Sequence, residues 1–297
     1  MSDDTPLHVE IFNATGTTWK LTVWGTPDFL SRAKSACTDA RKYVDWFEET
    51  FSRFKKQSLL SSFSTRRGVI EVPQECTDML HLYEKAYRAT QGAVTPTIAQ
   101  TLADAGYDSE RTLVPQEYVR RAPPLEETVT IVDSTHIDIL KPTAFDFGAI
   151  GKGYLVDMLT AQLIARGCTR FLVDGGGDIR YVSTEGVPIK IGLEDPRDAK
   201  QVIGMIELTT GALCGSATNR RRWGKYHHYI HPQTGESPEE IAAVWAVART
   251  AAEADMITSC LFFTEPAALT DIATFEYCIV KATFEAETSG RFAQALF

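Results

Sequence analysis

Lys152 stands within Phe145-Asp146-Phe147-Gly148-Ala149-Ile150-Gly151-Lys152-Gly153-Tyr154, which reads as a strand ending in a glycine-rich turn. The turn opens a helix predicted to run to Arg166 and stop at Gly167. Glycine lets backbone N–H groups approach an anion closely, and the positive end of the helix behind favours negative charge. With the lysine charge added, the turn is a candidate pyrophosphate cradle. It is not a Walker loop: only two residues separate Gly148 from Gly151, and Gly153 stands where a Ser or Thr would hold magnesium. Glycines needed only for packing would give the same segment.

Other residues could do chemistry beside it. Asp255 and Ser259 lie four apart on a predicted helix, Glu253–Phe263, so both point to one face. A carboxylate and a hydroxyl joined by a backbone carbonyl suit magnesium, which completes its shell with phosphate and water. A salt bridge from Asp255 to an arginine is the plainer alternative, since a buried acid needs a partner. Gly175-Gly176-Gly177-Asp178 lacks the dinucleotide fingerprint, because Arg180 occupies the third glycine position. It is either a tight turn between strands or a flat seat for a ring, with Asp178 as acceptor. His227, His228 and His231 precede Pro232, which breaks any helix there, and no His-Glu-x-x-His is present, so zinc is not expected at these residues. One of them could accept a proton or contact phosphate. Arg220-Arg221-Arg222 is a solvated charge run or a grip on an anion.

The elements that must position these groups mix hairpins with helices. A strand over His8–Asn13 and one carrying Trp19, Leu21 and Val23 pair around Ala14–Thr17. Thr26-Pro27-Asp28 offers a capping hydroxyl, a proline and an acid to start a helix. That helix sets Phe29, Ala33, Ala36, Ala40, Tyr43, Phe47 and Phe51 on one face. A second helix spans Glu75–Thr90 and ends at Gly92; strands follow at Val129–Val132, Ile137–Leu140, Arg170–Asp174, Ile179–Ser183 and Ile189–Leu193. This order predicts an α+β architecture rather than a doubly wound parallel sheet. With 297 residues and no linker, one domain, 1–297, is expected, built as one lobe or as two intimately joined ones. A net charge of −9, with no basic run long enough to offset it locally, excludes a general nucleic-acid binder. The six cysteines are scattered, with no Cys-x-x-Cys, and read as small buried apolar side chains. Met1-Ser2-Asp3-Asp4-Thr5-Pro6 shows no signal peptide or lipobox, so a cytoplasmic location without a membrane anchor is the expectation.

Taken in order, these segments resemble the ApbE family of flavin transferases, which move FMN from FAD onto a threonine or serine of a target protein with magnesium and release AMP. Thr15-Gly16-Thr17 before Trp19 is similar to the family's Met-Gly-Thr, and Phe51-Ser52-Arg53-Phe54 with Ser58, Leu60 and Ser61 to its Phe-Ser-x-Tyr…Ser-x-Leu-Ser. Gly92 to Thr97 resembles Gly-x-Phe-Asp-x-Thr, and Gly148 to Tyr154 with Asp157 resembles Gly-Gly-Ile-Ala-Lys-Gly-x-x-x-Asp. Gly176-Gly177-Asp178 matches its Gly-Gly-Asp turn. His228 with Pro232, Thr234 and Gly235 follows His-Ile-x-Asp-Pro-x-Thr-Gly, and Ala254-Asp255 with Ser259 follows Ala-Asp-x-x-x-Thr. The chain departs from these patterns at Ser64, Thr95, His231, Ser259 and Gly215-Ser216-Ala217.

The resemblance implies an ApbE-like (T-fold-related) fold, with mixed and antiparallel sheets packed by helices, and a magnesium site at Ala149, Asp255 and Ser259. It implies FAD contacts at Thr17, Ser52, Gly148, Ala149, Gly151 and Lys152. Further contacts fall at Gly176, Gly177, Asp178, Ser216, His228 and Thr234. His228, Lys152 and Asp255 are the implied catalytic residues, with Asp178 a second candidate base. The implied partner is a flavin-acceptor protein carrying Asp-x-x-Ser/Thr-Gly-Ala-Thr/Ser. That motif is absent from this chain, so self-flavinylation is not expected. Hydrolysis of FAD to FMN and AMP, or FAD binding without transfer, remain the alternatives.

Overall fold

The computed structural model describes residues 5–297; of the acidic N-terminal segment, residues 1–4 lie outside the described residues. The strands are β1 (His8–Ala14), β2 (Thr17–Trp24), β3 (Gly68–Glu71), β4 (Val129–Asp133), β5 (His136–Ile139), β6 (Arg170–Gly175) and β7 (Asp178–Ser183). They continue as β8 (Ile189–Asp195), β9 (Asp198–Leu208), β10 (Gly211–Ala217), β11 (Arg222–Trp223), β12 (Tyr226–His227), β13 (Ile241–Ala248), β14 (Phe275–Lys281) and β15 (Ala286–Thr288). The helices are α1 (Leu30–Phe51), α2 (Leu59–Ser62), α3 (Gln74–Ala89), α4 (Ala99–Asp104), α5 (Gly151–Ala165) and α6 (Ala251–Cys260).

An eight-stranded sheet in the order β1-β2-β6-β7-β10-β13-β14-β15 is antiparallel at every pairing. Smaller sheets, β3-β5-β4, β8-β9 and β11-β12, flank it. Antiparallel pairing fits the α+β expectation, because short turns suffice to join neighbours. The β1–β2 turn uses Thr15 and Gly16, both at positive φ (50° and 73°), as a two-residue hairpin requires. The main core lies on one face of the sheet, under α1, α3, α5 and α6, and includes Trp19, Leu21, Phe47, Leu155 and Ile257. A second core on the other face joins Tyr181, Leu213, Trp245 and Phe292 to the β8–β9 hairpin. Strand β13 is buried continuously from Ala243 to Ala248, as a strand covered on both faces must be.

Three local expectations are corrected. Phe145–Phe147 is not a strand: Phe145 and Phe147 are buried, but Asp146 bonds to Arg53 and to the Gly148 amide, so the segment turns instead of pairing. The Thr26 hydroxyl makes no cap bond; Pro27–Phe29 form a 3₁₀ turn and the α-helix begins at Leu30. The predicted Glu253–Phe263 helix runs from Ala251 to Cys260, started by a capping box between Thr250 and Glu253. All six cysteines are free and buried, as expected.

Candidate active site

Two helices build the site by touching end to side. Gly153, in the first turn of α5, faces the start of α6 so closely that a Cβ there would lie 2.3 Å from the Ala251 carbonyl oxygen. No other residue fits, so the glycine serves close packing. Asp157, one turn later, accepts the amides of Ala251 (2.9 Å) and Ala252 (2.8 Å) and so caps α6 from a neighbouring helix. With α6 so fixed, Asp255 accepts the Gly153 amide at 2.9 Å, and the Ser259 hydroxyl donates to the Ala149 carbonyl at 3.1 Å. The three expected metal-binding positions therefore meet at one turn. Asp255 is buried and bonds to a backbone amide, not to an arginine.

Most amides of the glycine turn already have acceptors. Gly148 donates to Asp146, Ala149 to the Tyr83 hydroxyl, Gly151 to the Phe147 carbonyl and Gly153 to Asp255. The expected cradle of open N–H groups is therefore largely closed, the Lys152 amide aside. What it presents is a carbonyl, a carboxylate, a hydroxyl and the Lys152 ammonium.

Lys152 is itself ion-paired, with Asp178 on β7. Burial disfavours its charge, but Asp178 and Asp255 outweigh that and push its pKa up. Burial, and then Asp178, raise Asp255 to about 7, against the pull of Lys152 and the Gly153 amide. Counted as ionised, this wall holds two carboxylates against one ammonium. Asp178 is fully buried, and its Oδ1 has no partner.

A cavity of about 1080 Å³ opens in front of this wall, at the upper end of the range for small-molecule sites. Thr17, Ser52, Gly148, Ala149, Gly151 and Lys152 line it. So do Gly176, Gly177, Ser216, His228, Asp255 and Ser259. Thr234 does not: it is exposed, and its hydroxyl accepts the Glu236 amide at the turn made by Gly235 (φ 74°). Asp178 reaches the site through Lys152. Gly176 sits against Thr17, where a Cβ would strike the threonine hydroxyl, and the Gly177 amide is held by Asp174 at 2.9 Å. Ser216 bonds to Thr258 of α6 at 2.9 Å.

The histidines separate in role. His227 donates Nε2–H to the Pro238 carbonyl at 2.7 Å and accepts the Tyr229 amide, a structural arrangement. His231 accepts the Gln233 amide, also within a turn. His228 lines the cavity with its Nδ1 sealed and unpartnered. Burial, followed by Arg221, His227 and Lys152, lowers it to about 3, so the ring is neutral in the working range. Of the arginine run, Arg220 and Arg221 line the cavity. Arg220 is paired with Glu194, whereas Arg221 has no ion pair among the described residues.

Sequence reasoning missed several groups. The Tyr83 hydroxyl donates to the Asp146 carbonyl (3.1 Å) and accepts the Ala149 amide (3.2 Å), which anchors the residue whose carbonyl accepts the Ser259 hydroxyl. Arg53 binds Asp146 and the Tyr107 carbonyl and lies 4.2 Å from the Phe54 ring centroid. Tyr229 stacks on Phe262 (4.0 Å, 14°) at the cavity edge. Their hydrogen-bond and stacking partners, Phe54 beside Arg53 apart, are remote in the chain, so no local pattern marks them.

A family model described as the ApbE family matches residues 15–283. Among curated relatives, a FAD:protein FMN transferase of Escherichia coli K12 is 25% identical over 259 residues, covering 81% of this chain and 73% of the relative. One from Vibrio cholerae is 27% identical over 235 residues, covering 74% and 70%. The fold is shared with the crystal structure of the ApbE protein of Thermotoga maritima, at a TM-score of 0.84 and 21% identity over 98% of this chain and 99% of that one. It is also shared with the flavin transferase ApbE from Vibrio cholerae, at a TM-score of 0.78 and 20% identity over 97% and 99%.

Proposed function

The chain belongs to the ApbE family, and from that premise we propose that it is a magnesium-dependent FAD:protein FMN transferase, an enzyme that moves FMN from FAD to a threonine or serine of a partner protein and releases AMP. One observation carries the reading: the Ala149 carbonyl, the Ser259 hydroxyl and the Asp255 carboxylate meet at one turn on the wall of a large cavity.

The donor set fits the metal. Carbonyl, hydroxyl and carboxylate are hard oxygen ligands, and they suit magnesium better than a softer ion. The electrostatics fit too. Beside the glycine turn a diphosphate would meet the Asp178 and Asp255 carboxyls together with Lys152, and a cation held at Asp255 would favour the ionised form that burial and Asp178 disfavour. Bound at Ala149, Asp255 and Ser259, magnesium would neutralise phosphate oxygens and stabilise the leaving phosphate.

The chain's own residues do the rest. Asp178 holds Lys152 at the cavity wall, where its ammonium faces the charge that grows on AMP. The partner's hydroxyl oxygen forms a bond to the FMN phosphorus, and the phosphoanhydride bond to AMP breaks. The hydroxyl proton passes to a base on the protein. His228 lines the cavity as a neutral ring, but its Nδ1 is sealed, so the ring would have to turn to accept the proton, and its low pKa makes it a weak base; Asp178, with an unpartnered oxygen, is the other candidate. Phosphoryl transfer of this kind rests mainly on positioning and charge neutralisation.

The test is incubation with FAD, magnesium and a protein domain bearing Asp-x-x-Ser/Thr-Gly-Ala-Thr/Ser. The expected result is covalent fluorescent flavin on the domain and an equal amount of AMP. AMP without labelled acceptor indicates hydrolysis. Neither product, beside an active relative in parallel, overturns the proposal.

A further inference from the structure

A second group of ligating side chains lies away from the flavin cavity, where the edge strand β1 meets α1. His8 and Glu10 are two residues apart on β1 and so share a face. Cys37, fully buried on α1, lies against that face. The His8, Glu10 and Cys37 ligand atoms all fall within 4.8 Å of one another, with His8 Nε2 3.7 Å from Glu10 Oε2. The arrangement leaves a need unmet: His8 Nε2 is buried and has no hydrogen-bond partner. Burying a ring nitrogen unpaired is costly, and native structures rarely leave one so. The nearest cation to Glu10 is Arg41, at 3.9 Å and half exposed, too loose a contact to account for the cluster.

We propose that His8, Glu10 and Cys37 form a binding site for a borderline-soft divalent transition metal of the zinc class. One imidazole, one carboxylate and one thiolate are the ligand types such an ion takes, usually at about 2.0–2.3 Å in a tetrahedral shell. Magnesium and calcium, which want oxygen alone, are disfavoured by the sulfur. Tetrahedral ligand atoms at those bond lengths sit somewhat under 4 Å apart. The His8–Glu10 spacing already meets this, and the thiol closes on the pair by a side-chain adjustment. Three protein ligands leave a fourth position for water. Binding replaces the thiol proton: the S–H bond breaks, a metal–sulfur bond forms and one proton is released per ion.

The consequence is mechanical. β1 lies at the edge of the eight-stranded sheet and is held on one side only, by β2. A metal bridging it to α1 would pin the hairpin whose turn, Thr15 and Gly16, forms part of the flavin cavity wall. The scattered cysteines hide this site from sequence inspection, because its ligands come from a strand and a helix rather than from a short motif.

Zinc binding by the full-length protein decides the matter. The chelator-stripped, reduced protein is titrated with zinc against a chromophoric chelator, with excess magnesium to occupy hard-oxygen sites. Cobalt is then substituted to read the ligands by absorption. The expected result is one zinc per chain and a cobalt spectrum with a thiolate charge-transfer band. His8→Ala and Cys37→Ser should each weaken binding by more than the roughly 10- to 100-fold that loss of an outer-shell partner costs. Asp255→Asn should leave zinc affinity unchanged, which separates this site from the flavin site. Should Cys37→Ser fail to fold, His8→Ala, a change on an edge strand, still decides. Absence of zinc uptake, a cobalt spectrum without the thiolate band, or equal affinity in His8→Ala overturns the proposal.

Discussion

The Gly153 amide and the Asp255 carboxylate meet at 2.9 Å, and the same glycine leaves no room for a Cβ against the Ala251 carbonyl. One residue thereby sets both the spacing of two helices and the position of the acid. Gly153→Ala must push α6 away, and overpacking of this kind costs about 1–3 kcal/mol. The expected outcome is a lower Tm together with loss of magnesium-stimulated AMP release. A variant with wild-type Tm and activity would show that the contact positions nothing.

Asp157 supports the same helix from its end. Replacing it with Ala leaves the Ala251 and Ala252 amides without their acceptor, and loss of a cap costs about 1–2 kcal/mol. At about 2–4 °C per kcal/mol for a chain somewhat smaller than this one, the shift is measurable by calorimetry. Activity should fall through a higher magnesium requirement, which saturating magnesium partly restores. An unchanged magnesium dependence would limit Asp157 to stability.

How legible all this was in the sequence depends on distance along the chain. The α1 core face was readable because Ala33, Ala36, Ala40, Phe47 and Phe51 recur at helical spacing, and all are buried. Asp255 and Ser259 were readable as a pair for the same reason. β10, β13 and β14 were not identified: β13 is Ala-rich and buried continuously from Ala243 to Ala248, so it lacks the alternation that marks a half-exposed strand. Phe145-Asp146-Phe147 misled by showing that alternation while its aspartate served a turn. The glycine turn was found for its anion-binding form, yet most of its amides are used to hold the turn in place.

Tyr83 shows what local patterns cannot reveal, being joined to a turn more than sixty residues away. Tyr83→Phe removes the acceptor for the Ala149 amide and the donor to Asp146. Leaving a buried amide unsatisfied costs about 1–3 kcal/mol. Because the residue so anchored presents its own carbonyl to Ser259, the variant should also need more magnesium for half-maximal AMP release. A fall in Tm alone would confine the residue to packing.

His228 is neutral across the working range, so its protonation cannot shape the acid limb of the rate profile above pH 5 (burial, Arg221, His227 and Lys152 hold it near 3). If it accepts the hydroxyl proton, His228→Gln should lower kcat by about 10²-fold or more. The profile above pH 5 should keep its shape. Loss of an acid limb in the variant would assign that limb to His228 and contradict the burial argument; an unchanged kcat would pass the role to Asp178.

Asp255 gives the pH dependence its sign. Burial and the Asp178 carboxylate raise it to about 7, well above an unfolded aspartate near 3.9. A carboxyl that holds its proton more tightly when folded stabilises the fold at low pH. That contribution is fully present below the unfolded pKa and is lost as pH rises through the folded value. Without divalent cation, therefore, the Tm of the protein should fall relative to Asp255→Asn as pH rises from about 5 to 8, since the amide cannot ionise. Other raised carboxyls, Asp157 and Asp174 among them, cancel in this difference. Magnesium bound to the ionised form should flatten the wild-type curve and leave the variant unchanged. A difference curve flat in pH, with chelator present, would mean that Asp255 is solvated and ionised in the folded chain, and the electrostatic case for a metal at this wall would fail with it.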